Sequence, residues 1–371
     1  MRIIYDPRHR RHQPQTEILY GKPLVHPERP ERVEAVRQAL EGTPWAGAVI
    51  APSEYPLRLA ERIHEPAYLL HLQERCAEAG ELGPREEWFP YVFPRDRGMD
   101  TGTPLQGETL ELAWGAACCA LTGADLLLAG EPSAYALCRP PGHHAAAGAF
   151  GGYCYFNNAA LAADRLLAPP APAPDAAAPP SAASRELAPS RPRAGGGALD
   201  RQGHLDRQGH LGRPGGDRGV AILDLDIHHG NGTQEIFYAT DRVLYCSIHG
   251  EPEWGYPPHT GFGDETGTGA GQGFTFNQPL PEGTDWPTYA AALDRALEAI
   301  ARFDPRYVVL SQGYDTFEGD RWGGFLLHAE HYAQIGERVR AIGRPVLALL
   351  EGGYEPANIA AGSLALLDGL A

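Results

Sequence analysis

The chain has 371 residues, 43% hydrophobic and 21% charged, enough for one large domain or two smaller ones with a sizeable core. Its 31 Lys and Arg against 47 Asp and Glu leave a formal net charge of −16, which argues against a basic nucleic-acid surface and suits cationic ligands. Lys22 is the one lysine, so a lysine-dependent phosphate loop is excluded and Schiff-base chemistry has a single, unsupported candidate.

In chain order, Pro30 opens an expected helix with Val33, Val36 and Leu40 on one face. A second helix is expected from about Pro66 and an alanine-rich third around Leu110 to Leu128. Four short apolar runs read as buried strands: Ala134–Cys138, Val220–Leu225, Tyr307–Leu310 and Pro345–Leu350. Such strands alternating with helices predict an α/β fold, a mostly parallel sheet covered on both faces. Residues 168–218 differ: they are rich in Pro, Ala, Gly and Arg and carry a hexamer repeat, Leu199 to His204 and Leu205 to His210. That composition cannot bury enough apolar area to offset chain entropy. It is expected to be a disordered insertion, and His204 and His210 within it form no fixed metal site. The expectation is one domain over 1–371, interrupted by 168–218. The six cysteines form no Cys-x-x-Cys pair, and neither a signal peptide nor an uninterrupted apolar span is apparent. Free thiols, a cytoplasmic location and no membrane partner are expected.

Each expected strand ends in a polar or glycine-rich cluster: Arg139-Pro-Pro-Gly-His143-His144, Asp224-Leu-Asp226-Ile-His228-His229-Gly-Asn231, Ser311-Gln-Gly-Tyr-Asp315 and Glu351-Gly-Gly-Tyr354. Ligands of open parallel sheets bind at the carboxyl ends of strands, so the four clusters should converge. Asp224, Asp226 and His228 alternate with a period of two, which places them on one side of the strand or its extension. Asp226, His228 and Asp315 make a three-ligand set that leaves an open position, the pattern of a catalytic metal. His143 and His144 suit general base and acid work, with Asp224 and Asn231 as orienting partners. Tyr354, after two glycines, suits a hydrogen bond to a developing oxyanion.

These words, in this order, resemble the histone deacetylase superfamily, whose fold is shared with arginase. The resemblance covers His26-Pro-Glu-Arg-Pro-Glu-Arg32, RPPGHHA, GGYCYFNNAA, AILDLDIHHGNGTQEIFY, SIHGEP, LSQGYDTF and LLEGGYEP. Within it the chain looks most like bacterial acetylpolyamine amidohydrolases, through Thr16 to Gly21, Phe150 to Cys154, His249-Gly-Glu-Pro and Gly263 to Gly271. The resemblance implies a three-layer fold and zinc held by Asp226, His228 and Asp315, although the oxygen-rich donors also suit Fe(II). It implies His144 as principal base and acid, Asp224 behind His143, Asn231 behind His144 where many relatives carry aspartate, and Tyr354 at the transition state. It places Tyr153 and Tyr256 as aromatic channel walls and the Gly152 carbonyl against the substrate amide. It further implies a potassium ion on main-chain oxygens of Asp224, Asp226, His228 and Ile248 with the Ser247 hydroxyl, and a second cation near Phe237, Thr240 and Val243.

The expected reaction is zinc-dependent hydrolysis of an acetylated amine. Acetylpolyamine is the first substrate, with Glu17 as ammonium partner. An acetyl-lysine peptide is the alternative. A non-catalytic relative is disfavoured by the intact ligands, tandem histidines and Tyr354. An arginase-like dimetal site is disfavoured because Gly-Asn-Gly after His229 supplies no second ligand set. The polyamine-hydrolysing relatives form dimers that narrow the channel, so a homodimer is one reading and a monomer the other, the loop around Glu86 to Gly102 giving no clear match to theirs. Asp320-Arg321-Trp322 replaces the usual Asp-Pro step, which places Trp322 as an expected mouth residue.

Overall fold

A computed structural model of the chain describes residues 1–19, 21–93, 95–168 and 219–371. The expected insertion lies, from residue 169 to 218, outside the described residues, as do His204 and His210. The strands are β1 (Arg2–Ile4), β2 (Thr16–Leu19), β3 (Lys22–Val25), β4 (Val49–Ile50), β5 (Ser133–Ala136), β6 (Val220–Asp224), β7 (Val243–Gly250), β8 (Thr275–Leu280), β9 (Tyr307–Gln312) and β10 (Val346–Leu350). The α-helices are α1 (Glu31–Leu40), α2 (Pro66–Leu82), α3 (Thr109–Leu128), α4 (Asn158–Leu167), α5 (Asn231–Phe237), α6 (Trp286–Phe303), α7 (Ala329–Arg340) and α8 (Pro356–Leu370).

Eight strands form one sheet in the order β4-β1-β5-β10-β9-β6-β7-β8. Its pairings are all parallel. Hairpin β2–β3 stands apart as an antiparallel pair. The four strands expected from sequence are β5, β10, β9 and β6, four neighbours at the centre of the sheet. Their register is level: Ala136 pairs with Leu349, Leu349 with Ser311, Ser311 with Asp224, and Asp224 with Ser247. Everything that follows this row emerges at one edge, so the strand-end clusters are forced together.

Side chains of a strand alternate between faces, and the core follows that rule. Val346, Ala348 and Leu350 join Val308, Leu310, Ala221 and Leu223 beneath α1, α6, α7 and α8. Leu347 and Leu349 join Ala134, Ala136, Ile222 and Val309 beneath α3 and α4. Helix α3 is long and apolar enough to cross a membrane by length and composition, but most of it is buried inside the protein. Its small residues let it lie close to the sheet, with Gly123 against the Leu347 side chain.

Leu347 is fully buried in a central strand, so truncation opens a cavity. Leu347→Ala is predicted to cost about 2–5 kcal/mol of unfolding free energy, measured by denaturant titration. A loss under half a kcal/mol would contradict this packing.

Candidate active site

At the carboxyl edge, ligand atoms of Asp226, His228 and Asp315 all lie within 4.8 Å of one another. The two carboxylates are fully buried. His228 Nδ1 lies 3.0 Å from Asp226 Oδ1 and 3.2 Å from Asp315 Oδ2. Burial opposes positive charge on this ring, but the two carboxylates outweigh it and push His228 up to about 10. Burial and the neighbouring Asp226 push Asp315 upward. Asp315 Oδ2 is buried and faces no donor but the His228 ring. This donor set fits a divalent metal.

Backbone groups hold the carboxylates in place. Asp226 Oδ2 accepts from the Gly352 amide at 2.7 Å, and Asp226 Oδ1 from the His228 amide at 2.9 Å. Asp315 Oδ1 accepts from the Ile227 amide at 3.1 Å. A Cβ on Gly313 or Gly352 would run into both carboxylates, so close packing against them requires glycine there.

The tandem histidines sit beside this cluster. His143 Nδ1 lies 3.1 Å from Asp224 Oδ2, and His144 Nδ1 lies 2.8 Å from Asn231 Oδ1. These are the two orienting partners expected from sequence. Their environments push the rings apart. Burial works against charge on His143, but Asp224 and Asp226 drive it up to about 10. Burial, then His143 and His228, hold His144 well below the ordinary imidazole range. His144 is thus neutral beside a cationic neighbour, and an opposed pair of this kind suits acid and base roles.

Glu351 was part of a strand-end cluster but had no assigned role. Its Oε2 accepts from the Gly142 amide at 2.7 Å and the His143 amide at 3.2 Å, and its Oε1 from Ser311 Oγ at 3.0 Å. It fixes the backbone of the tandem histidines. Burial pushes it up to about 7.

A cavity of about 210 Å³ opens onto the cluster, lined by Glu17, Ile18, Leu19, Asp100, Thr101, Gly102, His144, Gly152, Tyr153, His228 and Tyr256. All four expected substrate-binding residues are on its wall. Gly152 has φ +54°, and a Cβ there would strike the His144 ring. Glu17 is buried beside the Tyr153 hydroxyl, and its Oε2 has no hydrogen-bond partner. The Tyr153 and Tyr354 rings meet edge to face with centroids 5.8 Å apart. Burial lifts the Tyr354 phenol well above its ordinary range, so it keeps its proton as a donor.

Asp100 escaped sequence reasoning. Its Oδ2 accepts from Tyr256 Oη and from the Gly152 amide, both at 2.6 Å, and its Oδ1 from Thr103 Oγ1 at 2.9 Å. One carboxylate fixes two walls of the cavity. Its one signal was an aspartate in a Gly- and Thr-rich loop, too common to single out. Trp322 is not among the residues lining the cavity. Asp320 explains that segment instead: its Oδ2 accepts from the Tyr354 amide at 2.6 Å and the Glu355 amide at 3.1 Å, bracing the Tyr354 turn. Arg32 braces it from the other side, donating to the Glu351 and Gly353 carbonyls, with its guanidinium 5.0 Å from the Tyr354 ring centroid. Of the expected potassium residues, Asp224 and Ser247 are register partners, and Ser247 Oγ lies 2.7 Å from His249 Nδ1.

The histone deacetylase domain model matches residues 26–170 and 210–370. The chain belongs to the histone deacetylase family. Acetylpolyamine amidohydrolase 1 of Pseudomonas aeruginosa is 35% identical over all of this chain and 98% of its own length. The acetylpolyamine amidohydrolase of Mycoplana ramosa is 34% identical over the whole of both chains. The crystal structure of the acetylpolyamine aminohydrolase of Burkholderia pseudomallei superposes with a TM-score of 0.81, at 30% identity, covering 100% of this chain and 98% of that one. The histone deacetylase match takes in the triad, both histidines, Asn231 and Tyr354, and begins after Glu17.

Gly352→Ala is predicted to spread Asp226 and Asp315 and to weaken metal retention by about 10- to 100-fold. Metal content after dialysis against a graded chelator checks this. Retention equal to that of the unaltered protein would contradict the contact.

Proposed function

We propose that the chain is a zinc-dependent amidohydrolase that removes the acetyl group from acetylpolyamines, giving acetate and free amine. The observation that carries the substrate class is Glu17, a buried carboxylate on the cavity wall with an unpartnered oxygen. A buried acid of this kind calls for a cationic partner. An ammonium group beyond the acetamide supplies one, with the Tyr153 and Tyr256 rings beside its methylene chain. The names of the full-length relatives point the same way.

Asp226, His228 and Asp315 would hold the metal. Zinc, when bound, supplies a Lewis acid that polarises the amide carbonyl and acidifies water. His144 carries its proton on Nδ1, facing Asn231 Oδ1, so Nε2 is free to take a proton from the attacking water. Tyr354 donates a hydrogen bond to the oxyanion as it forms. The Gly152 carbonyl, whose donor within the protein is the weak Cys154 thiol at 3.3 Å, accepts from the substrate amide. His144 then returns its proton to the leaving amine. His143, its Nδ1 held 3.1 Å from Asp224 Oδ2, packs its ring against that of His144, with centroids 4.0 Å apart. A potassium ion at Asp224, Asp226, His228, Ser247 and Ile248 belongs to the same reading. So does a cytoplasmic setting, with all six cysteines buried and unpaired.

Tyr354→Phe is predicted to lower kcat at least ~100-fold, the scale for losing one oxyanion donor. Turnover within tenfold of the unaltered enzyme would remove Tyr354 from this role. Kinetics on acetylputrescine, acetylspermidine and an acetyl-lysine peptide, with zinc and with anaerobic iron, test the substrate. The polyamines are predicted to show the higher kcat/KM, and Glu17→Gln to raise their KM about 5- to 10-fold with kcat little changed. A peptide preferred over both polyamines would replace this substrate class with protein acetyl-lysine.

A further inference from the structure

The residue behind His144 is an amide, and an amide is not symmetric. A carboxylate offers an acceptor oxygen whichever way it turns, whereas asparagine offers an acceptor on one side and a donor on the other. In the structure Asn231 turns Oδ1 to His144 Nδ1 at 2.8 Å. A carbonyl oxygen only accepts, so Nδ1 carries the hydrogen and Nε2 carries the lone pair. Turned over, Asn231 would offer Nδ2–H to Nδ1, and the ring hydrogen would move to Nε2. The ring would then have no lone pair facing the cavity.

The other side of the amide decides between these states. Asn231 Nδ2 donates to Met99 Sδ at 3.6 Å. Turned over, the amide oxygen would face the sulfur, two lone-pair bearers with no hydrogen between them. Met99 is itself held. Its amide donates to the Phe150 carbonyl at 2.8 Å, and the Phe150 amide donates to the Arg97 carbonyl at 2.9 Å. A Cβ on Gly151 would come within 2.8 Å of Met99 Cβ and 2.9 Å of its Cε, so glycine makes the space. The chain has two methionines, Met1 and Met99, so a thioether here is not background composition.

We propose that Met99 is a positioning residue: its thioether sets the orientation of the Asn231 amide and thereby the tautomer of His144. This rests on the reading of His144 as the base.

The test is a double-mutant cycle on the zinc-loaded enzyme, with acetylputrescine as substrate. Met99→Leu keeps the bulk and removes the acceptor. It is expected to lower kcat about fivefold, the worth of one neutral hydrogen bond, with KM unchanged. In an Asn231→Asp background the same substitution is expected to change kcat less than twofold, because the carboxylate has no wrong orientation. Equal losses in both backgrounds would mean packing alone and overturn the proposal. Nitrogen-15 spectra of the histidine rings, with His144→Gln to identify its signals, read the tautomer without reference to activity. The Nδ1–H form is expected in the unaltered protein and a mixture in Met99→Leu. An unmixed Nδ1–H ring in Met99→Leu would also overturn it. Near-normal turnover of His144→Gln would instead reject the base assignment while leaving the tautomer result standing.

Discussion

Four buried carboxylates, Asp224, Asp226, Asp315 and Glu351, meet at one edge of the sheet, and their mutual repulsion is the constraint around which the site is built. Unpaired buried charge is costly, so each needs a partner. Asp224 has His143 and the Tyr245 hydroxyl, the latter at 3.1 Å. Glu351 has two backbone amides and Ser311. Asp226 has two backbone amides but still faces Asp315 across His228. Within the protein that last pair shares the His228 ring, and a divalent cation held by the same three side chains would take its place between the carboxylates. An ion held there would link stability to metal affinity, because a ligand that binds only the folded state stabilises it.

The level register of β5, β10, β9, β6 and β7 is what makes this convergence obligatory. A shift of one residue in β9 would turn each of its side chains to the opposite face and carry Asp315 away from Asp226. The core enforces the register, because Val308 and Leu310 belong beneath one helical layer and Val309 beneath the other. The cavity depends on a loop, not on the sheet. Met99 and Asp100 are consecutive, and they touch Asn231 on one side and Tyr256 with the Gly152 amide on the other. One short segment thus couples the orientation of the proposed base to the shape of the channel.

The four central strands were legible because each is buried on both faces and reads as an apolar run. The site was legible because its polar residues directly follow those runs. Strand β7 is equally buried, but Tyr, Cys, Ser and His interrupt its apolar run. Strands β1 and β4 have three and two residues, too few to show a period. Helix α6 has a readable start in the sequence, with Asp285 accepting from the Thr288 amide and Pro287 in its first turn. Asp320 and Glu351 were invisible as supports because their partners are mostly backbone amides, which every residue but proline has. Asp320, in the segment that departs from the usual Asp-Pro step, is turned inward to hold the Tyr354 turn.

The position of the low-complexity segment follows from the same topology. The described chain ends α4 at Leu167 and resumes before β6 at Val220. It therefore re-enters the sheet at the amino end of β6, while Asp224 stands at the carboxyl end. Five residues of strand separate the two by roughly 15 Å. An addition before β6 enters that strand at the end opposite Asp224. A comparable addition after β5, β9 or β10 would fall between a strand end and its cluster. The asymmetry of a parallel sheet, with its chemistry confined to one edge, leaves its other edge open to such variation.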